Sequence, residues 1–262
     1  MNRRSFLIAA GGLLAAPAFA LGEAGSLSIG AAINKAGRQR MLSQRMAKAY
    51  AMQSAGVMPE RAGLLLDSSR RLFEAQLSEL KGLAPTAEIQ GALQALDTAW
   101  RLYREVLSRA PSPESARSVL VESDNTLRAA HVLTGLYEKQ SAGPAGRLVN
   151  LSGRQRMLSQ RMAKCFLFDR SGIGSGSLKA EMEVARSEFV AALAELNAYP
   201  ANTAAIRTEL ELANTQWLFF EQALNGRETV REIAARNVAT TSERILEVMD
   251  SLTGRYEGLV RG

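Results

Sequence analysis

The twelve residues GRQRMLSQRMAK occupy positions 37–48 and recur unchanged at positions 153–164, an offset of 116 in a chain of 262 residues. Packing alone tolerates many apolar substitutions, so an unchanged copy points to a tandem duplication with a shared task. The dodecamer holds three arginines, two glutamines and a serine, which makes that task polar. The repeat extends further. LFEAQLSEL at 72–80 matches EFVAALAEL at 188–196 at the same offset, Trp100 matches Trp217 at 117, and LTGLYE at 133–138 matches LTGRYE at 252–257 at 119. The offset grows by small insertions where loops are expected.

Each half reads as four helices. The first covers about 27–55 and about 144–170. The second runs from Pro59 to about Lys81, and from beyond the glycine-rich Gly172–Ser177 to about Ala198. The third covers about 86–109 and 203–224, with Ile89, Leu93, Leu96, Trp100 and Tyr103 at helical spacing. The fourth opens at Ser112-Pro113, a serine cap followed by proline in the first turn, and runs to about Gln140. Its counterpart opens after Asn225-Gly226 and runs to about Tyr256. Alternating β-branched runs are absent, and glycine and proline gather between the helices. Short connections make each set an up-down-up-down bundle. The expected fold is all-α, two tandem up-down-up-down four-helix bundles at 27–142 and 143–262.

Residues 1–20 are set aside as an export signal. Arg3-Arg4-Ser5-Phe6-Leu7, an apolar run from Ile8 to Ala16 and a small-x-small Ala18-Phe19-Ala20 fit a twin-arginine signal, with an ordinary secretory signal as the alternative. The expected location is the periplasm. No other stretch approaches eighteen apolar residues. Without Arg3 and Arg4 the 32 basic residues become 30 against 26 acidic ones, a net charge of +4. That favours small anions and does not imply nucleic acid. The lone Cys165 stands where the first half has Ala49 and fits a buried small hydrophobe.

A helical wheel of the repeated helix gives it two inward sides. Leu42, Met46 and Ala49 face the bundle core, while Ile33, Gly37, Arg40, Gln44, Ala47 and Ala51 share the opposite side. The second copy puts Gly153, Arg156, Gln160 and Ala163 there. That side is built to meet another helix. The short link Ser141–Pro144 starts the second unit near the start of the first, so the two repeated helices can run parallel and pair within one chain, a monomer with an internal pseudo-dimer; the alternative is that each box pairs with a partner chain in a symmetric dimer. Arg40 then faces Arg156. Two buried guanidiniums repel and cost free energy, and a planar oxyanion between them offsets that cost.

The candidate ligand-binding residues are therefore Arg40, Arg156, Gln44, Gln160, Gly37 and Gly153. For the arginines, structural ion pairing is the competing reading. For Gln44 and Gln160 the choice is a hydrogen bond across the helix pair or solvent. Gly37 and Gly153 allow close helix approach. Arg38, Arg45, Arg154 and Arg161 lie on the flank, with a surface or intrahelical pairing as the default. Trp100, Trp217 and the methionines of the box are core residues. His131, whose counterpart is Asp250, is assigned a solvated or capping role. Paired catalytic carboxylates, nucleophile motifs, phosphate loops and metal-ligand clusters are not found, so the reading is a non-enzyme with no cofactor.

The phrases INKAGRQRM at 33–41 and VNLSGRQRM at 149–157 resemble the type IV pili methyl-accepting chemotaxis transducer N-terminal (PilJ-like) domain, in two copies over about 230 residues. They are more distantly similar to the sensory domain of nitrate/nitrite sensor kinases. The latter resemblance implies that Arg40 and Arg156, each before a methionine, contact nitrate across parallel helices. The chain departs from the nitrate box on both sides of that arginine, with Arg38-Gln39 and Leu42-Ser43-Gln44 in the first copy. The implied function is an exported sensory or solute-binding module for a small oxyanion, nitrate or nitrite first, passing its signal to a membrane sensor or transport partner. The alternative is a periplasmic protein-interaction or scaffold module accessory to a receptor, pilus or transport system.

Overall fold

A computed structural model describes residues 27–173, 176–226 and 228–260. The export signal read at 1–20 lies outside the described residues. Among the described residues eight helices follow one another: α1 (Ile29–Ser54), α2 (Pro59–Lys81), α3 (Ala87–Leu107), α4 (Pro113–Lys139), α5 (Ala145–Arg170), α6 (Ser177–Ala198), α7 (Ala204–Asn225) and α8 (Arg231–Val260). They form two four-helix bundles, α1–α4 and α5–α8, in contact with each other. The last helix is the one whose bounds differ most from expectation. It starts five residues after Gly226 and continues to Val260.

Local chemistry sets the ends. Thr86 and Thr203 cap α3 and α7 by accepting from Ile89 N and Ile206 N, both at 3.2 Å. Ser112 caps α4 in a reciprocal box with Ser115, with Pro113 in the first turn. Gly56 and Gly172, equivalent at offset 116, follow α1 and α5 with φ of +66° and +67°, a conformation that glycine adopts without the Cβ penalty.

Each bundle has the same aromatic nest. Phe73 stacks on Trp100 at 4.3 Å and Trp100 meets Tyr103 edge-on; Phe189 stacks on Trp217 at 4.4 Å and Trp217 meets Phe220 edge-on. Both tryptophans are core residues, as are Met41, Met46, Met157, Met162 and Cys165.

The bundles meet through α1 and α5, the two helices that carry the dodecamer. In α1, 20 of 26 residues are buried, against 6 of 23 in α2, so α1 is covered on all sides. It packs on α2 and α4 of its own bundle and on α5 and α8 of the other. This is why its wheel has two apolar sides instead of one. α8 runs antiparallel to both: Asn34 pairs with Glu257 and Lys48 with Glu243, while Arg156 pairs with Asp250 and Gln160 with Ser242. Hence α1 and α5 are parallel. Among the described residues no helix is long and apolar enough to cross a membrane.

Candidate functional site

Arg40 and Arg156 are both fully buried, at the middle of the α1–α5 contact. Helical side chains lean toward the N-terminal turn, and each arginine does so onto the opposite helix. Arg40 Nη2 donates to Asn150 Oδ1 at 2.7 Å, and Arg156 Nη2 donates to the Asn34 carbonyl at 3.2 Å. The two guanidiniums flank the same pair of glycines. A Cβ on Gly37 would stand 3.2 Å from Arg40 Nη2 and 3.6 Å from Arg156 Nη2; on Gly153 the corresponding distances are 3.9 and 3.1 Å. The glycines, costly inside a helix by about 1 kcal/mol against alanine, thus make room for the arginine heads.

The pseudo-two-fold is closely kept around this centre, at offset 119 in α4 and α8. Ser123 and Asp124 correspond to Ser242 and Glu243, and Glu138 to Glu257. Lys48, fully buried, donates from α1 to Glu243 and to Ser242 Oγ at 3.0 Å; Lys164, also fully buried, donates from α5 to Asp124 at 2.7 Å. Each lysine therefore crosses from one bundle to the other. Burial pushes the Lys48 ammonium down to about 8 despite Glu243. Burial alone would raise the Glu243 carboxyl, but Lys48 and Arg45 outweigh it and hold the group at about 2.

The symmetry breaks beside the two central arginines. Asp250 on α8 forms an ion pair with Arg156 and also accepts from Arg38 Nη2 at 2.7 Å. Its counterpart on α4 is His131, whose Nδ1 lies 3.4 Å from Arg40 Nη1. Arg40 thus meets an amide and an imidazole where Arg156 meets a carboxylate. Burial, with Arg156 and Arg154 adding repulsion, pushes the Arg40 guanidinium down to about 9. Burial also lowers Arg156, to about 10, with Asp250 opposing. His131 is lowered by burial and by Arg40 and Arg154. As an acceptor from Arg40 its Nδ1 is unprotonated.

The family profile of the N-terminal part of type IV pili methyl-accepting chemotaxis transducers, PilJ, matches residues 24–127 and again residues 139–246. The chain belongs to the PilJ family. Comparison with curated proteins and with solved structures gave no match. The PilJ profile describes part of a transducer, a signalling component, and among the described residues no group of three or more His, Cys, Asp or Glu side chains is placed to hold a metal.

In the PilJ pair, Arg40, Arg156, Gly37 and Gly153 come together. Gln44 and Gln160 do not bond across the α1–α5 contact. Gln44 Nε2 donates to the Ser123 carbonyl at 3.2 Å, and Gln160 Nε2 to the Ser242 carbonyl at 2.8 Å, each on the fourth helix of its own bundle. They fix the α1–α4 and α5–α8 packing. Both Oε1 atoms are buried without a hydrogen-bond partner.

The flanking arginines pair between helices and not along their own. Arg38 reaches Asp250, Arg45 reaches Glu243, Arg154 reaches Glu188 and Arg161 reaches Glu181. His131 is exposed, as expected of a solvated residue, and its Nδ1 also faces Arg40. Sequence reasoning missed Asn34, Asn150, Lys48, Lys164 and Asp250 as parts of this centre. The asparagines and lysines were inside the repeated phrases. Asp250 was visible only as the partner of a histidine at offset 119.

Proposed function

We propose that this PilJ-type chain is an exported, periplasmic sensory or solute-binding module that holds one small planar oxyanion, nitrate or nitrite first, at the Arg40–Arg156 centre. The observation that carries this reading is the charge imbalance there. Two fully buried guanidiniums share one direct carboxylate, Asp250, and that carboxylate sits on Arg156. Asp250 acts as a resident anion for the second box. An incoming oxyanion takes the Arg40 side, between the guanidinium, Asn150 and His131. Charge-assisted forks suit a planar trigonal anion, and the resemblance to nitrate sensors supports nitrate within that class. The intrachain pairing makes the working unit a monomer, which light scattering tests.

Isothermal titration of the purified protein with nitrate, nitrite, sulfate, phosphate and acetate tests the reading. The expected result is one nitrate or nitrite per chain, with binding weakened at least tenfold by Arg40→Lys. Absence of heat from every anion at millimolar concentrations would overturn it.

One observation favours a protein-interaction module instead. Leu212, Leu218 and Phe219 on α7 are exposed, and clustered exposed apolar side chains mark contact surfaces. On that reading a stoichiometric partner binds Arg40→Ala/Arg156→Ala as well as the parent chain and loses Phe219→Ser.

A further inference from the structure

The start of α1 and the end of α8 lie together at one end of the molecule, where Gly30 packs against Val260. At the opposite end a cavity of about 800 Å³ opens between the two bundles. It is framed by the C-terminal ends of α1 and α5 and the N-terminal ends of α4 and α8. Arg40 and Ser54 are fourteen residues apart on α1, so the cavity lies about 20 Å along that helix from the arginine centre.

Three arginines line it from three different helices: Arg117 of α4, Arg170 of α5 and Arg231 of α8. Their pairing differs from that of the arginines of the two dodecamers, which reach carboxylates or amides. Arg117 and Arg231 have no ion pair or side-chain hydrogen bond among the described residues. Arg170 lies 5.0 Å over the Phe166 ring and has no carboxylate among the described residues. The one acid among the described lining residues, Glu232, is taken by Arg236 at 3.1 Å. Arg231 is also the first residue of α8, where the helix dipole disfavours a cation. The floor is apolar, with Val57, Leu167 and Ala235 all buried.

We infer that this cavity is a second ligand site, separate from the Arg40–Arg156 centre, for a short organic anion carrying two or three carboxylates. Three guanidiniums lining one cavity from three helices are not satisfied by one carboxylate, and each forms a fork suited to its own. The apolar floor accommodates a carbon skeleton. The volume is in the range of organic-ligand pockets and exceeds what a bare inorganic ion fills.

The test uses citrate and succinate as probes with sulfate as control. Each is added to the full chain at constant ionic strength, and thermal unfolding and titration calorimetry are read together. The expected result is saturable binding of citrate or succinate, with a rise in Tm that sulfate does not reproduce. Arg117→Ala/Arg231→Ala should fold like the parent, since both side chains are exposed, and should bind the probe at least tenfold more weakly. Its response to nitrate should be unchanged, so this result stands or falls independently of the oxyanion reading. No response to either carboxylate, an equal response to sulfate, or full binding by the double variant would each overturn the inference.

Discussion

Replacing Asp250 by asparagine removes the resident anion from the second arginine box and keeps the side chain's shape. Arg156 is then fully buried with no carboxylate, retaining its bond to the Asn34 carbonyl. Removing one partner of a buried ion pair costs about 3–5 kcal/mol. Asp250 is 42% exposed at its side chain, so solvent already screens the pair and the cost drops to about 1–2 kcal/mol. For a chain of this size that lowers Tm by roughly 3–6 °C. The proposed function adds a second expectation. Nitrate takes the vacated place, so the lost stability returns on ligand addition and appears as affinity. About 1–2 kcal/mol corresponds to roughly 5–30-fold tighter binding, or to a second nitrate per chain. Thermal unfolding and titration calorimetry in a low-chloride buffer read both quantities. If Asp250→Asn lowers Tm but nitrate neither restores it nor binds more tightly, Asp250 is a structural ion-pair partner only and the resident-anion reasoning is refuted.

His131 should give nitrate binding a pH slope. Burial, Arg40 and Arg154 outweigh the opposing Glu188 and Glu138, so its imidazole titrates below its ordinary value. A bound anion favours the protonated ring, so protons are taken up on binding and affinity should rise as pH falls from 7.5 toward 5.5; a flat profile, or a slope that persists in His131→Gln, counts against this. Gly37→Ala places a methyl 3.2 Å from Arg40 Nη2; stability should change by less than about 1 kcal/mol, helix propensity offsetting the displacement, while nitrate affinity falls in calorimetry. Glu243 is held at about 2 against an ordinary 4.5. Its depressed value contributes stability that is present above about pH 4.5 and lost as pH falls toward 2, and chemical denaturation should show that loss reduced in Glu243→Gln. At neutral pH the same variant should be destabilised by about 3 kcal/mol, because Lys48 remains buried, and Lys48→Met should relieve part of that loss in the double variant.

Much of this arrangement was legible because the chain is its own alignment. An unchanged dodecamer at offset 116 exposed the tandem, and the two apolar sides of its wheel implied a helix buried between two bundles. Ser112-Pro113 marked the start of α4, and the glycine-rich stretch from Gly172 marked the break after α5. The partners of the polar residues were not legible. A wheel gives the angle of Gln44 but not how far its amide reaches, and it reaches the Ser123 carbonyl on α4. Arg38 and Arg45 looked like flank residues because the wheel has no knowledge of α8, which lies antiparallel along α1 from the other bundle. Lys48 would be expected in solvent. It is fully buried because Glu243, 195 positions later, meets it inside.

The tandem has a physical consequence that a pair of identical chains lacks. In a symmetric dimer, any residue placed beside one arginine stands beside the other as well. A carboxylate would then neutralise both boxes and a histidine neither. Fusing the two units lets the positions differ, and here they do: Asp250 beside Arg156, His131 beside Arg40. The carboxylate keeps one buried guanidinium compensated when no ligand is bound, which limits the penalty of assembling the pair. The imidazole leaves the other guanidinium without a direct carboxylate, with Glu138 behind Asn150 as the opposing charge. The same interface therefore holds the two bundles together through Lys48–Glu243 and Lys164–Asp124 while keeping a positive charge available at its centre. A ligand that stabilises this centre acts on α1 and α5 at once, and through Gln44 and Gln160 on α4 and α8. Occupancy at one point is thus mechanically connected to the relative placement of all four central helices.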